Sequence, residues 1–229
     1  MSKRMVEARK VLGGEKKIFS VKEALEALQA LPAPKFDESF ELALHMELDP
    51  KKADQAIRGT IILPHGTGKS VRVLVFATGE PERQAKEAGA DFVGSDDLMK
   101  KVEGGWLDFD TVIATPDLMR EVGKLGKVLG PRGLMPSPKA GTVTMEVKKA
   151  VEDAKQGKVE FKLDKQSGIH LSVGKRSFSQ EALEANIRSL IEAIWRAKPA
   201  SAKGRYVRSV SLSTSMSPGL RLDPAQGRN

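Results

Sequence analysis

The chain has 229 residues, no cysteine, and 38 lysines and arginines against 30 acids, a net charge of +8. Zero cysteines remove disulfides, thiolate metal sites and cysteine nucleophiles together and fit a reducing compartment. No apolar run approaches the roughly 18 residues of a membrane helix, and MSKRMVEARKVLGGEKK lacks the apolar core of a signal peptide, so a soluble cytosolic protein with no membrane partner is expected.

In chain order, a basic N-terminal arm comes first. SVKEALEALQALP then predicts a helix capped by Ser20 with Glu23 three residues on, its apolar face formed by Val21, Leu25 and Leu28 and its end set by Pro32. Phe36–Leu48 reads as a strand, with Phe36, Phe40, Leu42, Leu44, Met46 and Leu48 on one side and Asp37, Ser39, Glu41 and Glu47 on the other. A second strand, Ile57–Leu63, runs into the turn residues Pro64, His65 and Gly66. At Val71 the pattern changes: VRVLVFA is an apolar run of the kind buried on both faces of a parallel sheet, followed by a short helix, PERQAKEAG. The unit repeats as DFVG with SDDLMKKVEGG, then as DTVIATP with a helix over DLMREVGKLGKVL, and a helix over MEVKKAVEDAKQGK closes it at Gly157. From Val159 the first style returns. VEFKLD and GIHLSV predict a hairpin across KQSG, an amphipathic helix after Ser179 buries Leu183, Ile187, Leu190, Ile191 and Ile194, and YVRSVSLSTS supplies a last strand.

The expected fold is therefore α/β with two domains. One is a discontinuous α+β sheet domain formed by both chain ends, 1–66 and 159–229; the other is an inserted three-layer βαβ (Rossmann-like) domain, 67–158. The cation excess is +1 over 1–66, +1 over 67–158 and +6 over 159–229, so the last third carries most of the attraction for a polyanion.

Between the last two helices of the insert lies LGPRGLMPSPKAGTV, 129–143. Its three glycines and three prolines rule out a continuous helix or a regular central strand, leaving an ordered or a disordered loop. Lys127, Arg132 and Lys139 lie in or just before it with no acid between Lys124 and Val143, which points to an anionic partner. Leu129, Leu134, Met135 and Val143 threaded between the prolines suggest a loop packed on its own domain.

Motifs suggestive of catalysis are weak. HGTGKS at 65–70 shares the end of a phosphate-binding loop, but Leu63 stands where that motif needs glycine, and a strand follows where it needs a helix. GKLGKVLGPRG lacks the G-x-G-x-x-G spacing. Asp108, Asp110 and Asp117 flank a strand and have the chemistry to hold a metal, although Asp117 after Pro116 suits a helix start. His45, His65 and His170 show no H-E-x-x-H spacing, and no serine sits in a G-x-S-x-G elbow. A nucleotide-dependent enzyme built on the insert is thus the weaker reading; no catalysis and no cofactor are expected. Binding remains. Lys162, Lys165, Lys175, Arg176, Arg205, Arg208 and Arg221 offer charge, and Ser209, Ser211, Ser213 and Ser215 alternate along the last strand, as RNA-facing hydroxyls or as a solvated edge. With 5% aromatic residues and one tyrosine, the expected target is structured RNA read through shape, phosphates and 2′-hydroxyls rather than stacked single strands.

LGPRGLMPSPKAGTV closely resembles the signature of the L-one family of large-subunit ribosomal proteins, which builds the mobile stalk beside the ribosomal exit site. KFDESFEL at 35–42, the run 57–79, EAGADFVG at 87–94, WLDFDTVIATPDLM at 106–119 and SGIHLSVGKRSF at 167–178 are similar to family blocks in family order. The resemblance implies the same discontinuous arrangement, with linkers near 66–69 and 157–159, and a structural role: holding stalk rRNA, assisting release of exit-site tRNA, and repressing translation of its own mRNA, as a monomer within the cytoplasmic ribosome. It implies RNA contacts from Lys35, Phe36, Asp37, Glu38, Ser39 and Glu41, from Ser209, and from a T-M-G turn that becomes Ser215, Met216 and Ser217 here. Ser217 in place of glycine puts in doubt any contact that needs positive φ. The expected RNA-binding set is Lys35, Phe36, Ser39, Glu41, Lys165, His170, Lys175, Ser209, Ser215, Met216 and Ser217, with Arg132 and Lys139 as a second contact to rRNA or tRNA.

Overall fold

The computed structural model describes Met5, Val6, Ala8, Leu12 and residues 17–52, 54–202 and 204–224; most of the basic N-terminal arm lies outside the described residues. In chain order the elements begin with β1 (Ile18–Phe19), α1 (Val21–Gln29), β2 (Ser39–Met46), β3 (Arg58–Ile62) and β4 (Val73–Phe76). There follow α2 (Glu80–Glu87), β5 (Phe92–Gly94), α3 (Asp96–Glu103), β6 (Thr111–Ala114), α4 (Met119–Val122), α5 (Gly126–Leu129) and α6 (Val147–Lys155). The last are β7 (Lys158–Lys162), β8 (Gly168–Lys175), α7 (Gln180–Arg196), β9 (Val207–Thr214) and β10 (Leu220–Leu222). The chain forms two compact units: one combines the chain up to Gly68 with the chain from Val159, the other is Lys69–Lys158.

In the first unit, α1 starts as expected: Ser20 Oγ accepts the Glu23 amide at 3.3 Å while Glu23 Oε2 accepts the Ser20 amide at 3.0 Å, and Val21, Leu25 and Leu28 are buried. A five-stranded sheet runs β1-β10-β9-β2-β8. Phe40, Leu42, Leu44 and Met46 of β2, Ile169, Leu171 and Val173 of β8, and Val210 and Leu212 of β9 point into one core with the apolar faces of α1 and α7. The helices cover that face only, so the alternate residues of the central strands form an open face.

Four expectations need correction. VEFKLD and GIHLSV do not pair as a hairpin: β7 pairs with β3 in a two-stranded sheet, and β8 pairs with β2 from Ser39↔Lys175 to His45↔Gly168. Phe161 of β7 lies over Gly59 of β3, where an added Cβ would stand 2.6 Å from the ring, so that glycine is what lets the two strands meet. The strand expected at Phe36–Leu48 spans only Ser39–Met46; Phe36, expected on the apolar side, lies outside it and is 53% exposed, while Glu38, of the same parity as Phe40, turns its carboxylate inward. The helix over DLMREVGKLGKVL is cut into α4 and α5 by a 3-10 turn, Gly123–Leu125, where two weak helix formers, Gly123 and Gly126, frame it; Val122, Leu125 and Leu129 still keep one buried face. Finally, β9 is not the last strand: β10 pairs with it antiparallel and with β1 in parallel.

In the second unit, β5-β4-β6 are all parallel and β4 is wholly buried. Leu74, Phe76 and Ala114 pack with α3 and α5 on one face, and Val73, Val75 and Ile113 pack with α2 and α6 on the other. The 129–143 stretch is tied down: Leu134 donates to the Leu129 carbonyl (3.1 Å), Ser137 to Thr142 Oγ1 (2.8 Å), and Val143 bridges in parallel to Ala114. Gly141 takes the left-handed conformation, φ 65°, that closes its tight turn. Among the described residues no helix is long and apolar enough to cross a membrane.

Candidate nucleic-acid interface

The open face of the first unit is a grid set by strand register. Glu41 lies between Ser172 and Ser213, Ala43 between His170 and Ser211, and His45 between Gly168 and Ser209. Arg221 of β10 stands beside Ser211. At about 3.3 Å per residue, the stretch of β2 from Ser39 to His45 is about 20 Å long. Serines on the flanking strands set hydroxyls, which donate and accept alike, beside the longer side chains of Glu41, His45 and His170. Ser172 Oγ is shielded and without a hydrogen-bond partner, a state that a bound group or water relieves.

One end of the grid is a clasp made by three consecutive residues. Asp37 accepts from the Ser177 amide (3.1 Å) and hydroxyl (2.8 Å). Ser39 exchanges bonds with Ser215: its amide donates to Ser215 Oγ, and the Ser215 amide donates to its carbonyl, both at 3.1 Å. Lys175 Nζ donates to Ser39 Oγ at 3.0 Å. Between them Glu38, fully buried, accepts from Arg176 (2.7 Å), the Thr214 hydroxyl (3.2 Å) and the Met216 amide (3.1 Å). Lys35 and Phe36 immediately precede this clasp in the chain and Met216 follows Ser215 in it; all three are exposed, Phe36 and Met216 by 53% and 52%. At the opposite end the 164–168 turn carries Lys165, exposed, and brings Asp164 to 3.6 Å from His170. The Gly168 amide above all, then that of Gln166 and the charges of His170 and His45, hold the Asp164 carboxyl below the usual carboxylate range.

The structure thus brings Ser39, Lys175, Ser215, Met216 and Ser217 together at the clasp, with Lys35 and Phe36 on the segment leading into it. It strings Glu41, His170 and Ser209 along the same face and places Lys165 at its far end. Arg132 and Lys139 are exposed on the second unit. Ser217 does not adopt positive φ; its Oγ accepts the Thr214 amide (2.8 Å) and donates to the Pro218 carbonyl (3.2 Å), so a side chain closes the turn here. The RNA contact that the resemblance implies for Glu38 needs correction, because its carboxylate is fully buried and serves this turn instead; Thr214, a further partner of that carboxylate, was passed over. Strict alternation from Phe40 was the available signal, since it puts Glu38 inward, and a buried acid demands a cation.

The features suggestive of enzymes have other uses. The HGTGKS turn is held by Asn186, whose Oδ1 accepts the His65 amide (3.0 Å) and whose Nδ2 donates to the Gly66 carbonyl (2.9 Å), and no helix follows Lys69. Asp108 and Asp110 pair with Arg72 on the surface, and among the described residues no cluster of three or more metal-ligating side chains exists.

The sequence pattern of the Ribosomal protein L1p/L10e family matches residues 25–218. The chain is similar to the large ribosomal subunit protein uL1 of Protochlamydia amoebophila, 55% identical over 97% of this chain and 94% of that one. It is likewise similar to the uL1 proteins of Kosmotoga olearia, at 54% over 97% and 96%, and of Cutibacterium acnes, at 55% over 93% and 91%. Matches of this extent leave one conclusion: the chain belongs to the Ribosomal protein L1p/L10e family.

Proposed function

We propose that the open sheet face of the first unit binds a folded segment of large-subunit rRNA, the clasp at Ser39, Lys175 and Ser215 forming its most specific end. As a member of its family the protein is a structural constituent of the large ribosomal subunit and not an enzyme. The observation that carries the RNA reading is the face itself: hydroxyls in register on three strands, flanked by Lys35, Lys165, Lys175 and Arg221, with an exposed phenylalanine and methionine at one end. Hydroxyls suit 2′-hydroxyl and phosphate contacts, lysines release counterions, and the two apolar side chains suit an unstacked base or sugar.

On this reading the two chain ends form one discontinuous RNA-binding domain, the insert is a second body, and the crossings near 66–69 and 157–159 are the hinge that lets the stalk move. The second unit's Arg132 and Lys139, on a stretch free of acids, supply a second contact to rRNA or exit-site tRNA and so assist its release. The same face, offered a similar fold in the protein's own messenger, represses its translation. A salt titration of binding to a stalk rRNA fragment tests the first step. Log affinity should fall linearly with log salt by about 0.7–0.9 per neutralised phosphate. A flat response contradicts the proposal.

A further inference from the structure

We infer that Glu38 is a positioning residue for RNA binding: its buried carboxylate fixes the exposed Ser215–Ser217 turn from beneath and so sets where Ser215 and Met216 meet the ligand. This rests on the RNA-binding face proposed above. Met216 is 52% exposed, so its own packing does little to hold it in place. What holds it is its amide, which donates to Glu38 Oε1, the same oxygen that accepts the Thr214 hydroxyl one turn earlier. The other oxygen, Oε2, takes Arg176 at 2.7 Å. That guanidinium also donates to the carbonyls of Gln29 (2.8 Å) and Leu31 (2.6 Å), at the C-terminal end of α1, and the Arg176 amide donates to the Glu38 carbonyl at 2.8 Å.

One carboxylate therefore joins four segments: the end of α1, the entry of β2, the exit of β8 and the exit of β9. A neutral side chain would not serve. The guanidinium, 16% exposed on its side chain and facing two carbonyls, needs a full negative charge as its remaining partner, and that same charge makes Glu38 a strong acceptor for the turn. Glu38 itself is fully buried and is not in a position to touch RNA; it acts through Ser215 and Met216.

The test is a double-mutant cycle on the full chain with a stalk rRNA fragment as probe, read as the dissociation constant of the folded fraction at low temperature, with thermal stability measured alongside. Glu38→Gln keeps the shape and removes the charge; the affinity should fall about tenfold with the salt slope unchanged, because no phosphate contact is lost. Met216→Ala should cost about tenfold in the parent and less than threefold in the Glu38→Gln background, because the turn it belongs to is already released. If Glu38→Gln only lowers the melting temperature while its folded fraction binds as the parent does, or if Met216→Ala costs the same in both backgrounds, the inference is overturned. Thr214→Val, which removes the hydroxyl donor alone, serves if Glu38→Gln does not fold: a loss of threefold or more supports the inference and unchanged affinity refutes it. Failure of the parent protein to bind the fragment would instead overturn the RNA-binding face.

Discussion

Phe36→Ala separates binding from folding. Phe36 lies outside β2 with 53% of its surface exposed. A phenylalanine has about 200 Å² to bury, so roughly half, about 100 Å², is free to be covered by a ligand. At about 25 cal/mol per Å² this amounts to about 2.5 kcal/mol, and stacking on a base gives a similar 1–3 kcal/mol. The expected loss of affinity for a stalk rRNA fragment is therefore about 10- to 100-fold in a filter-binding titration at fixed salt. Stability should change by less than about 1 kcal/mol, since little packing is removed. Ile62→Ala is the control: Ile62 is 42% exposed on β3, in the separate two-stranded sheet, and its loss should leave affinity within twofold. If Phe36→Ala also binds within twofold of the parent, the clasp is not the specific end of the face.

Three further expectations concern the scaffold. Asn186, buried, serves the His65 amide and the carbonyls of Gly66 and Val173, so Asn186→Ala should destabilise by about 2–4 kcal/mol and lower the melting temperature by about 5–15 °C; a shift under 2 °C would show that water replaces these bonds. Gly59→Ala drives a methyl against the Phe161 ring and should cost about 1–3 kcal/mol in urea denaturation, recovered in part by adding Phe161→Leu; a neutral Gly59→Ala would mean that β3 and β7 separate freely. Asp164 has its folded pKa below its unfolded value near 3.8, so its contribution is present above about pH 4 and is lost as pH falls through the folded value. With a side chain 42% exposed, that contribution is under about 1 kcal/mol: Asp164→Asn should be slightly less stable than the parent at pH 7 and equal to it near pH 2, and an unchanged gap at both would refute the assignment.

How much of this was legible in the sequence differs by element. The capped helix α1 and the buried stripe of α7 are local facts, and local chemistry decided them. The parallel strand β4, apolar throughout, announced its burial on both faces. What failed was partner choice. VEFKLD and GIHLSV are adjacent in sequence and look like a hairpin, yet Gly59 gives β7 a better partner in β3, and β8 finds an eight-residue stripe in β2. Strands as short as β1 and β10 carry no periodic signal at all. At the candidate interface, Lys35, Phe36 and Glu38 all entered through one family block, and nothing in that block said that Glu38 turns inward while the other two stay exposed. The partner of Glu38, Arg176, lies 138 positions away, and only the fold brings them together.

The most direct test of the account exploits the absence of native cysteine. A single cysteine at Ser211→Cys, in the middle of the open face, carries a tethered hydroxyl-radical source; a second protein carries it at Glu192→Cys, on exposed α7 behind the sheet. With large-subunit rRNA bound, strong strand cleavage in the stalk region from position 211 and little from 192 is the expected result. Cleavage from 192 with none from 211 would contradict the claim that the open sheet face holds the RNA.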